Sequence, residues 1–419
     1  FGPVARELRD ANFMKIVSTA LIVLLLVVCS SSNTNAQYVW AAKQSIPAPG
    51  RHHASVFTIG NTIYLMCGTN LFQDQQYRDM WKFIPAENRW LQLRDFPGKA
   101  RSYAATFVIK GKGYLCVGED DSTNLTDLWE YTPEDDSWVQ KDDFPGDGRS
   151  HPAFFTLNDE GYVGCGDSRV TDYKDFYKYS QSAGKWKPVK QFLGPPNHHP
   201  AFFTINNRAY VCTGHDRAGN QVLKSNYEYN PETNTWTKKA DLPAKGRVGA
   251  IGFAINNLGF IGGGFDEVGT GEFYRDFYVY NPVTDSWSTT VPPFPDLNGT
   301  FAAVSTVVGN IAYAGTGEDS LYNLNTNWYS FHDESVGVQE VSDEGTCKLF
   351  SGNGYVRFES ENPISSFSVV NLLGQRIFTA TNTGGNSIVT PTQGWAAGLY
   401  LARYVVGTKS KGISFIITE

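Results

Sequence analysis

An internal repeat limits the possible folds of this chain more than any other feature of its sequence. Short apolar runs begin with an aromatic residue and end in glycine six times, at steps of 50, 48, 48, 50 and 53 residues. These runs cover residues 64–68, 114–118, 162–166, 210–214, 260–264 and 313–317. Further along the unit, an aromatic residue and a Trp stand nine residues apart in five units, with turn residues between them. Each unit is therefore predicted to form four short strands joined by hairpins.

The composition argues against three classes of protein. Aromatic residues make up 14% of the chain and charged residues only 18%, which argues against a disordered protein. With 41 Gly and 20 Pro, the chain is also a poor candidate for a helical protein. The 35 basic and 42 acidic residues give a net charge of −7, so the chain has no broad basic surface for a nucleic-acid backbone. We expect no nucleic-acid partner.

The units resemble kelch repeats, in which a glycine doublet closes the second strand and a Tyr and a Trp follow at fixed spacing. The doublet is intact at Gly263-Gly264, and the aromatic spacing is kept in pairs such as Trp81 and Trp90. A period near 50 residues with four strands per unit is typical of a β-propeller blade. The resemblance covers roughly residues 37–340 and implies an all-β fold, a kelch-type β-propeller.

The sixth unit indicates how the propeller closes. Nine residues after Trp328 stands Gly337, so this unit lacks the Trp of its fourth strand. The segment 38–40 at the start of the propeller supplies Trp40, and Pro47 follows it at the spacing seen after other fourth-strand tryptophans. The sequence therefore predicts six blades, with the N-terminal strand completing the last one and few strand edges left exposed.

The N-terminal segment has the pattern of an export signal. Met14 and Lys15 precede an apolar run over residues 16–28, and small residues stand near Ala36. The run is too short for a membrane-spanning helix. We expect a signal peptide over residues 14–36 and no transmembrane span in the mature chain. Residues 1–13 are interpreted as an upstream artefact.

The last part of the chain is predicted to be a separate domain. The repeat stops after residue 344, and residues 345–419 alternate apolar and polar positions between turn signals, which favours a small β-sandwich. This segment resembles the type A C-terminal sorting domain of Bacteroidota type IX secretion cargo at Asn362-Pro363, residues 370–376 and residues 397–401. The resemblance implies the type IX translocon as a partner and export through the periplasm to the outer cell surface or the medium. The propeller would then span residues 37–344.

The cysteines and histidines predict no metal and no cofactor. After the expected cleavage site the chain has an odd number of cysteines inside or near apolar runs, and we expect buried free thiols: Cys67, Cys116, Cys165, Cys212 and Cys347. No CxxC pair indicates zinc. The adjacent pairs His52-His53 and His198-His199 point their members in opposite directions along a strand, so neither pair should chelate a metal by itself.

The candidate site is the mouth of the propeller, where the first strands begin. The opening triplets are residues 51–53, 101–103, 149–151, 197–199, 247–249 and 300–302, and they hold five of the seven histidines. If the triplets are regular strand, their first and third members share one side. This alternation predicts a ligand-binding mouth with Glu119 beside it, lined by Arg51, His53, Arg101, Tyr103, Arg149, His151, His199 and Arg247.

Two interpretations of the arginines stay open. Their charges could be balanced by acidic residues that follow the second-strand glycines, which are Glu119, Asp167, Asp216, Asp266 and Glu318. Alternatively, unpaired arginines would bind a carboxylate or phosphate through their bidentate fork. A second recurring acid stands two residues before an aromatic, and we interpret it as a turn acceptor: Asp79, Asp127, Asp175 and Asp276.

Three functions follow from this mouth. The favoured hypothesis is a secreted or surface recognition module that binds an anionic glycan or a partner protein. The alternative is an enzyme resembling the six-bladed kelch sialic-acid mutarotases, in which Arg holds a carboxylate and an acid or His moves a proton. A structural or adhesive surface protein is the third. The sequence leaves open whether the chain is an enzyme, and it names no catalytic residue.

Overall fold

The computed structural model describes residues 38–333, 347–352, 355–360, 362–371, 375–381, 385–392, 395, 398–406 and 409–417. The predicted signal peptide therefore lies outside the described residues. Regular structure in the described part is all β-strand except for two single-turn 3-10 helices, Leu71–Gln73 and Pro85–Glu87. Within these same ranges, no helix has the length and hydrophobicity needed to cross a membrane.

Residues 38–333 form six antiparallel four-stranded sheets, which are the blades of a propeller. First strands of neighbouring blades lie side by side around the axis, and those of blades 6 and 1 also meet, so the ring is closed. From the axis outward, blade 1 consists of Ser55–Ile59, Thr62–Met66, Met80–Ile84 and Arg89–Gln92, and blade 2 of Ala105–Ile109, Lys112–Cys116, Leu128–Thr132 and Ser137–Lys141. Blade 3 consists of Ala153–Leu157, Glu160–Gly164, Phe176–Ser180 and Lys185–Pro188, and blade 4 of Ala201–Ile205, Arg208–Cys212, Asn226–Asn230 and Thr235–Lys239. Blade 5 consists of Ile251–Ile255, Leu258–Gly262, Phe277–Asn281 and Ser286–Ser288, and blade 6 of Val304–Val308, Ile311–Gly315, Trp328–Asp333 and Tyr38–Ala42.

The N-terminal strand closes the ring, as the sequence predicts. Tyr38–Ala42 pairs antiparallel with Trp328–Asp333 and forms the outer strand of blade 6. Trp40 Nε1 donates to the carbonyl of Pro292 in blade 5 at 3.4 Å. Trp287 on the outer strand of blade 5 donates in the same way to Ala240 of blade 4, at 2.8 Å. Trp40 therefore occupies the position of a fourth-strand Trp.

Glycines in the second strands allow neighbouring blades to pack closely. A Cβ atom on Gly113 of blade 2 would lie 2.5 Å from the ring of Phe57 in blade 1. Gly161 stands in the same relation to Phe107, with a closest approach of 2.2 Å. Because real Cβ atoms do not come this close, the aromatic ring of one blade requires a residue without a side chain in the next. The repeat thus fixes blade spacing as well as blade number.

The propeller cysteines fill the blade interiors. Cys67, Cys116, Cys165 and Cys212 are buried free thiols, as predicted. Burial raises the pKa of the Cys67 thiol to about 12. Such thiols act as small apolar side chains and are poor nucleophiles. The side chain of Cys347 lies outside the described residues.

The C-terminal segment forms two antiparallel sheets. One contains Cys347–Gly352, Tyr355–Ser360 and Ser387–Pro391. The other contains Arg376–Thr381, Ile364–Asn371, Gly398–Val406 and Lys409–Ile417. Buried side chains from both sheets, including Phe358, Phe367 and Tyr404, form one core. The segment is therefore a small β-sandwich, as its alternating pattern predicts.

Candidate functional site

Four arginines stand just before the first strands of blades 1, 2, 3 and 5, and each is buried in its own blade. Arg101 Nη1 and Nη2 donate to the Asp127 carboxylate at 2.6 and 2.7 Å. Its Nη1 also donates to the carbonyl of Val117 at 3.0 Å, and its Nε to that of Lys99 at 3.2 Å. The same bidentate pair recurs in the other three blades as Arg51–Asp79, Arg149–Asp175 and Arg247–Asp276.

The prediction that these arginines line the mouth is wrong. Their side chains are at most 1% exposed, and their donors are already used. The second recurring acid is not a turn acceptor, because its carboxylate binds the arginine. In blade 2 the indole Nε1 of Trp129 also donates to Asp127 Oδ2 at 2.7 Å. Each pair with its aromatic neighbour is a structural element of the blade.

The prediction that the first and third triplet residues share one side is wrong because the triplets do not form regular strands. The third member of every triplet has a left-handed backbone, with φ of 50° at His53, 58° at Tyr103, 55° at His151 and 53° at His199. Gly249 and Ala302 adopt the same conformation, with φ of 56° and 53°. This conformation turns the third side chain away from the arginine side, since it breaks the two-residue alternation of a strand.

The six left-handed residues form a closed belt around the propeller axis. The amide of each donates to the carbonyl of the third triplet residue in the preceding blade, at N···O distances of 3.0–3.3 Å. The amide of His53 donates to Ala302 and so joins blade 1 to blade 6. The belt holds the six residues at one level, and the large side chains of blades 1 to 4 point toward a common centre.

Four of the predicted site residues meet at this centre, and we call His53, Tyr103, His151 and His199 the axial cluster. The ring centroids of His151 and His199 are 3.4 Å apart, and those of Tyr103 and His151 are 4.1 Å apart. His53 Nε2 lies 2.9 Å from His199 Nε2. The cluster lines one side of a cavity of about 150 Å³ in the central channel. Gly249 and Ala302 also line it and contribute little volume.

The axial imidazoles are neutral. Burial lowers the pKa of His53, His151 and His199, and the neighbouring histidines lower it further at His53 and His199. Asp167 favours the protonated form of His151, but this effect is smaller than that of burial. His151 Nδ1 lies 2.9 Å from Asp167 Oδ1, which fixes the orientation of the ring.

An ion-pair network continues outward from the axial cluster. Arg217 joins two acids, with Nη2 2.9 Å from Asp167 and Nη1 3.1 Å from Asp172. Asp172 Oδ1 also lies 2.9 Å from Nδ1 of His198. Burial disfavours a charge on His198, but Asp172 and Glu267 outweigh this effect and raise its pKa to about 9. His198 is therefore a cation at neutral pH.

The acids expected to balance the arginines have other partners at the mouth. Glu119 pairs with Arg169, with Nε 3.2 Å from Oε2. Asp216 and Asp266 accept backbone amides of their own loops. Glu318 lies 3.9 Å from Nε2 of His52, and burial raises its pKa. These acids therefore contact other groups at the mouth. The arginines pair instead with the second recurring acid of each blade, such as Asp127 in blade 2.

Exposed apolar residues project from the mouth on blades 1 and 6. Phe72 is 59% exposed and Tyr322 65% exposed, and their ring centroids are 6.2 Å apart. Leu71 and Leu321 beside them are also exposed. We call these four residues the apolar tips. Both loops start next to a triplet, since Thr69 bridges to His52 and Glu318 to Phe301. Sequence reasoning missed them, although two apolar residues in a loop are a detectable signal.

Comparison with known proteins supports the fold. Residues 23–199 match the family model of the KLHDC2/KLHL20/DRC7 Kelch-repeats domain, and residues 196–243 match the Kelch motif. No curated protein sequence matches the chain. A solved structure titled "Structure of YjhT" is similar with a TM-score of 0.58 at 17% sequence identity, and the match covers 69% of this chain and 96% of that chain. At this identity the likeness concerns the fold alone. Repeat matches, blade architecture and structural likeness together identify the chain as a kelch-repeat β-propeller.

Proposed function

We propose that the chain is a recognition module that binds a partner protein at the mouth of its propeller. The exposure of the apolar tips is the observation that carries this proposal. Neighbouring exposed apolar side chains of this size are typical of protein-binding surfaces. Aromatic residues in particular are enriched at the centres of interfaces.

The surroundings of the apolar tips fit an interface rim. Lys99 is 63% exposed, Arg169 46% and Glu267 39%, so charges of both signs surround the mouth on other blades. Polar and charged rims around apolar contacts are usual in protein interfaces. The mixed signs favour a partner with its own acidic and basic groups over a polyanion.

The buried arginines weaken the two alternatives that depend on them. The four repeat arginines are not free to bind an anionic glycan, because their guanidinium groups are already bound to carboxylates. A mutarotase-like reaction would need the same groups to hold a substrate carboxylate. The proposal of a protein partner requires neither.

We also propose that the chain is exported and reaches the cell surface or the medium. The support is the signal-like segment 14–36 and the sorting-domain resemblance of residues 345–419, which the β-sandwich fold accommodates. A surface location would place the mouth where a partner outside the cell can reach it.

Site-specific photo-crosslinking on source cells tests the recognition proposal. A photoreactive amino acid at position 72 or 322 should give a discrete protein adduct. The same amino acid at position 283, in an exposed hairpin at the opposite end of blade 5, is the control. Absence of an adduct beyond the control would contradict the proposal. Glycan binding that is lost in F72A/Y322A would replace the protein partner with a sugar.

A further inference from the structure

The histidines of the axial cluster are not required by the belt that holds them. Gly249 and Ala302 occupy two of the six belt positions and complete its hydrogen bonds without a large side chain. Residues with a bulky side chain adopt the left-handed conformation at a cost that glycine avoids. The choice of His in three blades therefore needs an explanation other than the fold.

The imidazole nitrogens of the cluster converge on one point. One ring nitrogen from each of His53, His151 and His199 lies within 4.8 Å of the other two. Ligand nitrogens of a tetrahedral zinc ion, at Zn–N distances of about 2.0–2.1 Å, lie about 3.3 Å from one another. The observed 2.9 Å between the Nε2 atoms of His53 and His199 is close to this separation. The three nitrogens are therefore close enough to one another to contact a single ion.

The groups behind the imidazoles are those that orient metal ligands. Asp167 faces Nδ1 of His151 and favours the tautomer whose lone pair is on Nε2, as carboxylates do behind metal-bound histidines. Asp167 is itself held by Ser150 Oγ at 2.9 Å and by Arg217 Nη2 at 2.9 Å. Within the described residues, the buried Nδ1 of His199 has no hydrogen-bond partner. The cluster thus contains one ring nitrogen for which the described part of the protein supplies no partner.

We propose that the axial cluster binds one divalent transition-metal ion, such as Zn²⁺ or Co²⁺, through His53, His151 and His199. Three imidazoles suit these ions, and the central cavity leaves the fourth ligand position open to water or another small ligand. The sequence argument that neither adjacent histidine pair chelates alone is compatible with this site, since the ligands come from three blades.

A second group of histidines nearby is less suited to a metal. His198, His215 and Glu267 also bring three possible ligand atoms within 4.8 Å of one another. Both ring nitrogens of His198, however, face carboxylates, with Asp172 at 2.9 Å and Glu267 at 3.8 Å. A ring that lies between two carboxylates favours the doubly protonated form, which has no free lone pair. This group therefore serves as the control site.

Metal binding by the unmodified chain is the first measurement. The full chain, purified without a histidine tag and freed of metal with a chelator, is titrated with Co²⁺ and followed by visible absorption. We expect saturation at one ion per chain with the intense bands of a four-coordinate site. Electron paramagnetic resonance of the Cu²⁺ form should show three equivalent or near-equivalent nitrogen ligands. Absence of saturable binding, or a count of one or two nitrogens, would overturn the proposal.

Three variants locate the site. His199→Asn removes a ligand, and Asp167→Asn removes the group that orients His151, for which a loss of about 10–100-fold in affinity is expected. The loss in H199N should exceed that in D167N. His215→Gln leaves all three proposed ligands and should bind Co²⁺ as the unmodified chain does. Binding that survives in H199N but disappears in H215Q would assign the metal to the control site. If H199N does not fold, the nitrogen count on the unmodified chain decides.

Discussion

The buried pair of Arg101 and Asp127 offers the sharpest test of how a blade is stabilised. Arg101 is fully buried, and its bidentate pair joins the triplet to Asp127, the residue before the third strand of blade 2. Blade 4 has no such pair, because Asn197 and Ser225 occupy the equivalent positions. There the amide Nδ2 of Asn197 donates to the carbonyl of Thr213 at 2.9 Å. The double variant Arg101→Asn/Asp127→Ser therefore gives blade 2 the two residue types that blade 4 has at these positions without a charge pair.

The expected loss of unfolding free energy depends on the charge that each single variant leaves without a partner. Arg101→Asn leaves the Asp127 carboxylate without its cation, and removal of one partner of a buried pair costs about 3–5 kcal/mol. Asp127 is 19% exposed, so water recovers part of this loss and we expect about 3 kcal/mol. Asp127→Ser leaves a buried guanidinium and should cost at least as much. In the double variant neither charge remains, so its cost should be below the sum of the two by about 2–3 kcal/mol.

Equilibrium urea unfolding, followed by Trp fluorescence at neutral pH, measures the four free energies of this cycle. The Arg101→Asn variant keeps a donor for the carbonyl of Val117, so the cycle isolates the charge pair better than a change to alanine. Additive costs would refute the reasoning. A cost below about 1 kcal/mol for R101N would also refute it, because a pair that contributes so little to the unfolding free energy cannot explain why it recurs in four blades.

Three shorter predictions concern closure, charge and export. Trp40→Ala should destabilise the propeller by about 3 kcal/mol in urea unfolding, because Trp40 packs on Phe277, Phe294 and Phe331, and a cost near zero would place the closure elsewhere. The pKa of His198 is raised from 6.5 to about 9 in the folded protein. Its contribution to the unfolding free energy is therefore full below pH 6.5 and is lost as the pH rises through 9. The unfolding free energy of the parent chain should therefore fall relative to His198→Gln over this interval, by at most about 3 kcal/mol, and parallel pH curves would contradict the assignment. Deletion of residues 345–419 should retain the protein in the periplasm, as judged by fractionation, whereas normal surface delivery would exclude a sorting role.

The fold could be predicted because its determinants recur within the chain. The second strands of blades 2, 3 and 5 have a glycine beneath an aromatic ring of the preceding blade, as at Gly113 and Phe57. Each outer strand needs a Trp that reaches the neighbouring blade, as Trp287 does. These requirements produce a period that can be counted, and the missing Trp of the sixth unit locates the closing strand. Local interactions at fixed spacing are what a sequence shows best.

The site could be predicted only in part, because backbone geometry and exposure decide it. The sequence places His53 and Tyr103 at the mouth correctly, but strand alternation misplaces Arg51 because the third triplet residue is left-handed. A signal for the arginine pairs was present. Blades 4 and 6 lack both partners, with Asn197 and Ser225 in one and Thr300 and Asn327 in the other. For the apolar tips the sequence signal is only a pair of apolar residues in each loop, and their exposure depends on the fold of the whole loop.

Blades depart from the repeat in two ways. Some changes are compensated inside the same blade, whereas the histidines of the belt are not required by the blade that contains them. Where blade 4 loses the arginine it also loses the acid, so the change is compensated inside the blade and reports a requirement of the fold. At the belt, Gly249 shows the residue that the backbone favours, yet His53, His151 and His199 accept a left-handed conformation that costs free energy. No partner change within their own blades offsets this cost. Asp167 contacts His151 alone, whereas a ligand on the axis would contact all three histidines, and this is why we assign ligand chemistry to the belt and not to the arginines.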